Sequence, residues 1–190
     1  MPDFEIDISN CVNTIHNGGI ILYPTDTVWG LGCDATDAAA VDKIFALKQR
    51  PREKSLVVLL AEAKDILQYV AAPHPDIIDI VENFETPTTV IYDGALGFAE
   101  NAVHESGSIA IRITTDPFCK ALIKRLKKPL VSTSANISGQ SAPAVFSQVD
   151  TAIVQGVDYC VQHRRNDDTT RPPSRIVRIN DNGEIEIIRP

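Results

Sequence analysis

"GIILYPTDTVWGLGCDA", residues 19 to 35, decides the fold, because a short apolar run in it sits between two helical patterns. Ile20, Ile21, Leu22 and Tyr23 lie between Gly19 and Pro24, which reads as a buried strand. Upstream, Ile8, Cys11, Val12 and Ile15 recur at helical spacing, and Gly18-Gly19 ends that helix. Downstream, Asp37 is placed to cap a helix carrying Val41, Ile44, Phe45 and Lys48. This helix has to stop near Arg50, since Pro51 disfavours the α conformation of its predecessor. The polar string between the strand and this helix permits two readings. One is a turn, in which Asp26 and the threonines cap local backbone while Gly30 and Gly32 supply positive φ. The other is a strand that stops at a ligand, with small side chains letting backbone approach it.

Working outward, the alternation continues. "SLVVLLA" (55–61) is a second buried strand, and short helices are expected around 63–70 and 76–84. "TTVIYDG" (88–94) and "SIAIRIT" (108–114) read as strands, the latter alternating faces around Arg112. "PFCKALIKRLKK" (117–128) is an amphipathic helix with proline at its start, and "PLVSTSAN" (129–136) enters as a strand and leaves as a polar loop. A helix over 149–155, a strand "VDYCVQ" and a polar loop "HRRNDDTTRPP" (163–173) follow. The final hairpin, "SRIVRIN" to "EIEIIRP", turns at Asn182-Gly183. Strands alternating with helices predict one α/β domain over 1–190, a twisted mixed sheet flanked by helices. In such sheets ligands bind in the loops beyond strand ends.

Composition narrows the function. With 190 residues, 44% hydrophobic and 23% charged, the chain has the balance of a soluble globular domain. Its apolar runs are too short to span a bilayer, and Met1-Pro2-Asp3 does not open an export signal, so a cytoplasmic location without membrane partners is expected. Cys11, Cys33, Cys119 and Cys160 lie far apart without metal-ligand spacing, as reduced, packed cysteines do. The net charge of −7 argues against a protein whose main task is gripping nucleic-acid phosphates. Two or three well-placed cations suffice, however, for a small anion.

Two strings offer them. In "LKQRP" (47–51), Lys48 and Arg50 would diverge on a continuous helix, but a helix that breaks before Pro51 can release Arg50 in a new direction. "VSTSANISG" (131–139) places consecutive hydroxyls and backbone amides after a buried strand, an arrangement that cradles phosphates or carboxylates. The P-loop pattern, GxGxxG and the Gly-x-Ser-x-Gly elbow are absent, and the four histidines form no serine triad.

Together, "YPTDTVWGLGCDA", "IFALKQRP" with "LVVLL", "IAIRI", "PLVSTSANISG" and the closing "IIRP" resemble the YrdC family of L-threonylcarbamoyladenylate synthases over nearly the whole chain. The resemblance implies a twisted α/β sheet enclosing a deep cleft. It implies a reaction of L-threonine, bicarbonate and ATP that yields threonylcarbamoyl-AMP and pyrophosphate, with Mg²⁺ on the triphosphate. A tRNA threonylcarbamoyl transferase complex would then use the product at adenosine 37 of tRNAs reading ANN codons, with weak tRNA binding by the synthase left open. The family's pattern places L-threonine near Thr25, Thr27, Arg112, Thr133 and Ser174. It places the nucleotide at Lys48, Arg50, Thr89, Ser132, Ser134, Asn136 and Arg189, with Lys48, Arg50, Ser134 and Asn136 at the reacting centre. Two segments depart from the pattern. Residues 84–89 read Phe-Glu-Thr-Pro-Thr-Thr, and Arg175 and Arg178 stand where a hydroxyl and an acid are usual, so the nucleotide side is expected to be built differently. The alternatives are a YciO-type paralogue or an RNA-binding module with the same fold and no synthase activity. The YciO branch loses the Lys-x-Arg and Ser-Ala-Asn strings, both present here.

Overall fold

A computed structural model describes residues 4–51 and 56–190. Ser55, the first residue of the expected second strand, lies outside them. Nine strands form one sheet among the described residues: β1 (Ile21–Tyr23), β2 (Gly30–Gly32), β3 (Val57–Leu60), β4 (Thr88–Tyr92), β5 (Ile109–Ile113), β6 (Leu130–Ser134), β7 (Tyr159–Cys160), β8 (Arg175–Ile179) and β9 (Ile185–Arg189). Their order is β7-β1-β2-β6-β3-β5-β4-β8-β9, with parallel and antiparallel pairs mixed. The helices are α1 (Glu5–His16), α2 (Ala38–Lys48), α3 (Ile66–Tyr69), α4 (Ile77–Glu82), α5 (Pro117–Leu126) and α6 (Thr151–Gly156).

One face of the sheet is covered from β1 to β8, whereas β9 is exposed along its length. Leu22, Leu31, Val58, Leu60, Val90, Ile111 and Val131 pack there against Val41, Ile44 and Phe45 of α2, Ile66 of α3, Ile77 of α4 and Ile153 of α6. The other face is covered only in part. Ile8, Cys11 and Ile15 of α1 and Phe118, Cys119 and Leu122 of α5 close over Ile21, Tyr23, Leu59 and Leu130. Beyond that cap the same face continues, because directly paired residues share a side of a sheet. One row there is Ser132–Val57–Ala110–Ile91, and the next runs Leu59–Arg112–Thr89–Ile176. Two helices too few for a wide sheet therefore leave a cleft with a strand floor.

Two expectations change. Gly30 and Gly32 do not take positive φ; with Leu31 they form β2, antiparallel to β1. The smallness of Gly32 serves packing: a Cβ there would stand 2.7 Å from the Tyr23 ring and 2.9 Å from Val131 O. Helix α2 ends through Gln49, in the left-handed conformation at φ 49°, before Pro51 comes into play. Gln49 N–H returns to Ala46 O and Arg50 N–H to Phe45 O, the paired bonds of a Schellman ending. That reversal sends Arg50 away from the helix axis. Faces alternate along β5 as expected, although Ile109 to Arg112 are all buried, Ile109 and Ile111 under the helices and Ala110 and Arg112 on the cleft floor.

Candidate active site

The cleft is a cavity of about 550 Å³. Thr27, Arg50, Arg112, Ser132, Thr133, Ser134, Ser174 and Arg189 border it, eight of the residues singled out from the sequence. Thr25, Lys48, Thr89 and Asn136 do not; they stand behind the lining.

Thr25 is saturated by its own turn. Its hydroxyl donates to Val28 O at 2.8 Å and accepts from the Thr27 N–H at 3.0 Å. With its single proton committed, the 3.0 Å contact between the two threonine hydroxyls has Thr27 as donor. Thr25 is thus the turn residue, and Thr27 presents only oxygen lone pairs to the cleft. The turn reading holds for Thr25, though not for the two glycines, while Thr27 borders the cleft.

Asp26, between them, points at Arg112: Nη2 lies 3.0 Å from Oδ1, with both side chains almost wholly buried. The contact is close but poorly aligned, and neither Asp26 Oδ1 nor Arg112 Nε has a hydrogen-bond partner. A buried donor left unpaired costs about 1–3 kcal/mol, so Arg112 Nε keeps an incentive to take an acceptor from a ligand. Thr114 Oγ1 lies 3.4 Å from the other Asp26 oxygen.

Lys48 is only 1% exposed. Its ammonium donates to Ser134 O and, at 2.7 Å, to Asn136 O, while its own carbonyl accepts from Ser138 N–H at 2.8 Å. The Asn136 amide donates to Ile137 O at 2.9 Å and Gln140 O at 2.8 Å. The loop after β6 is therefore wound around a buried cation. Burial, and secondarily the Arg50 charge, lower the Lys48 pKa to about 8. Burial also lowers that of Arg50. On the far wall, Ser174 and Thr89 share a 2.8 Å hydroxyl bond, and Arg189 Nη2 donates to Ser174 O at 2.6 Å.

The loop 163–173 is held from two sides. Asp7 of α1 accepts from Tyr159 Oη at 2.6 Å and from the backbone of Gln162 and His163. Arg164 pairs with Asp116 at 2.8 Å and reaches Thr25 O at 3.3 Å. Arg175 and Arg178 make their contacts outside the cleft. Arg175 Nε donates to Thr88 Oγ1 at 2.7 Å, with its guanidinium over Phe84, and Arg178 meets Asp93 at 3.4 Å. Neither arginine borders the cleft, although Pro173, Ser174 and Ile176 of the same segment do. Phe84 to Thr88 instead border a separate pocket of about 210 Å³.

The sequence reading did not assign Asp26 or His104 to the site. Asp26 stood in a string already singled out; His104, which borders the cleft from the loop before β5, carried no motif signal. All four cysteines are free thiols, and burial raises the pKa of each. No helix among the described residues is long and apolar enough to cross a membrane.

Comparison with known proteins places this geometry. The Sua5/YciO/YrdC sequence family, described as "Telomere recombination", matches residues 13–190. The threonylcarbamoyl-AMP synthase of Marinobacter nauticus is 35% identical over 181 residues, 94% of this chain and 93% of that protein. The enzyme of the same name from Pseudoalteromonas translucida is 33% identical over 157 residues, 81% and 84% of the two chains. Among solved structures, P. abyssi Sua5 complexed with L-threonine superposes with a TM-score of 0.85 at 22% identity, over 98% of this chain and 54% of that one. E. coli YciO gives 0.80 at 20% identity, over 97% and 88%. These two likenesses concern the fold.

Proposed function

The chain belongs to the Sua5/YciO/YrdC family, and from that premise we propose that its cleft joins L-threonine, bicarbonate and ATP into threonylcarbamoyl-AMP, releasing pyrophosphate. The observation that carries the reading is the convergence of Thr27, Arg50, Arg112, Ser132 to Ser134, Ser174 and Arg189 on one cavity, with Arg112 Nε still lacking an acceptor.

Threonine and bicarbonate condense to a carbamate with loss of water. A carbamate oxygen attacks the α-phosphorus of ATP, forming the C(O)–O–P link while the bond to the β-phosphate breaks and pyrophosphate leaves. No protein nucleophile is needed; the chain has to position two anions and neutralise charge spreading over the phosphoryl oxygens. Arg112 Nε and Nη would take the threonine carboxylate, and the Thr27 lone pairs would accept from the threonine hydroxyl or ammonium. Arg50 and the hydroxyls of Ser132 and Ser134 would hold the α- and β-phosphates, and Arg189 would face the nucleotide. Lys48 acts behind them: its ammonium fixes the loop that carries Ser134 and Asn136. Mg²⁺ would enter as part of the MgATP substrate, held mainly by phosphate oxygens and water. Release of an activated carbamoyl group matches consumption by a tRNA threonylcarbamoyl transferase complex.

Amino-acid choice tests this assignment. A pocket that hydrogen-bonds the substrate hydroxyl rejects valine, its near-isostere, because a buried oxygen is left unpaired. Serine lacks one methyl and is expected to lose about 1–3 kcal/mol in kcat/KM. Equal turnover of valine and threonine would overturn the placement of threonine at Thr27.

A further inference from the structure

We propose that His104 reads the nucleobase, donating from Nε2 to a ring nitrogen of the purine that lies on the row Val57–Ala110–Ile91. The proposal rests on the ATP reading above.

The row is the first observation. Val57 and Ile91 are each paired directly with Ala110, so the three side chains form a continuous strip across three strands on the cleft face. Neighbours paired across strands stand roughly 5 Å apart, so the strip is about 10 Å long, enough for a flat bicyclic ring. Val57 and Ile91 are partly exposed, and they form an apolar strip among the hydroxyls and guanidinium groups of the cavity, whose other apolar neighbours are Val28, Ala142, Pro173 and Ile176. An apolar floor between charged walls favours the one part of ATP that is flat and weakly hydrated at its faces.

The second observation is the position and tautomer of His104. Along β5 and its approach, the cleft face carries Ser108, Ala110 and Arg112 in turn, following the two-residue period of a strand. His104 N–H donates to Ser108 O at 2.9 Å, and Gly107 N–H returns to His104 O at 2.8 Å, a closed loop that sets the imidazole at the end opposite Arg112. The base strip thus lies between a guanidinium and an imidazole. His104 Nδ1 accepts the Ser106 backbone N–H at 3.2 Å and lies 2.8 Å from Ser106 Oγ. A backbone N–H is always a donor, so Nδ1 carries the lone pair and the neutral ring carries its proton on Nε2. His104 thus borders the cavity with a ring whose remaining polar atom, Nε2, is a donor, and purine ring nitrogens are acceptors. Neither substrate anion needs this group, since Arg50, Arg112 and Arg189 lie elsewhere on the cavity wall.

The test measures binding of ATP and of its 1-deaza, 3-deaza and 7-deaza analogues to the full chain by calorimetry, for the wild type, His104→Phe and His104→Gln. The wild type is expected to bind one deaza analogue roughly three- to tenfold more weakly than ATP, the effect of one lost neutral hydrogen bond. In His104→Phe, ATP itself weakens by a similar factor and the difference between ATP and that analogue disappears. His104→Gln, which keeps a donor, retains part of it. Threonine KM stays at the wild-type value in both variants. Deaza penalties identical in wild type and His104→Phe would overturn the proposal, as would ATP affinity unchanged by the substitution. A wild-type protein with no ATP affinity would instead contradict the ATP reading of the cleft, a separable outcome.

Discussion

Thr25 and Thr27 are two residues apart and chemically identical, yet hydrogen-bond counting separates them. All the capacity of the Thr25 hydroxyl is used inside the turn, whereas Thr27 keeps lone pairs facing the cleft. Thr25→Val is therefore expected to cost about 1–3 kcal/mol of stability through unpaired turn groups. Thr27→Val should change threonine KM more than the unfolding midpoint. Denaturant titration beside steady-state kinetics checks both, and the opposite pattern would exchange the two roles. Lys48 gives a second contrast, between a cation that touches phosphate and one that shapes a loop. Its pKa is lowered to about 8 from an ordinary value near 10.5, first by burial. The folded state then holds fewer protons than the unfolded state between those values. The stability contribution of Lys48 is fully present above pH 10.5 and is lost as pH falls through about 8. The melting temperature of the wild type relative to Lys48→Met should rise from pH 7.5 to 10; a difference independent of pH would show that the ammonium is not buried as described.

At the scale of elements, strands and helices with several apolar residues were legible in the sequence, and β2 was not. Gly30-Leu31-Gly32 holds a single apolar side chain, so no period can reveal it. Gly32 is required by the Tyr23 ring, which lies across the strand, and that contact exists only once β1 and β2 pair. Gly32→Ala places a Cβ 2.7 Å from Tyr23 Cε1 and 2.9 Å from a backbone oxygen, which only local displacement can relieve. A loss of about 1–3 kcal/mol is expected, read from the urea midpoint. An unchanged midpoint would mean that β2 yields without cost. The end of α2 shows another limit of sequence reading. Pro51 marked the stop, but Gln49 makes the turn, because a left-handed residue other than Gly or Asn carries little sequence signal. The candidate site was legible where short motifs carried it, at 25–27, 48–50 and 132–136. Its division into lining and support was not, since that depends on which way each side chain faces: Lys48 into the loop, Arg50 into the cleft, Arg175 towards Phe84 and Thr88.

The whole molecule places its chemistry by leaving part of a sheet uncovered. Helices α1 and α5 close one end of a face, and the buried Asp26–Arg112 pair lies where that cap meets the open floor. Breaking a buried pair by removing one partner typically costs about 3–5 kcal/mol, so the same contact supports both the fold and the orientation of Arg112. The 163–173 loop, pinned by Asp7 and by Arg164–Asp116, braces the threonine turn from outside, which ties the N-terminal helix to the site. Each of these features serves one claim, that the cleft holds threonine and ATP together for direct attack on the α-phosphorus. The most direct measurement is pyrophosphate release by the purified chain, with threonine, bicarbonate and ATP each omitted in turn and the nucleotide product weighed by mass spectrometry. The account predicts release only when all three are present, with one threonylcarbamoyl-AMP formed for every pyrophosphate. Pyrophosphate released at the same rate without threonine, or threonine-dependent turnover giving ADP and phosphate, would contradict it.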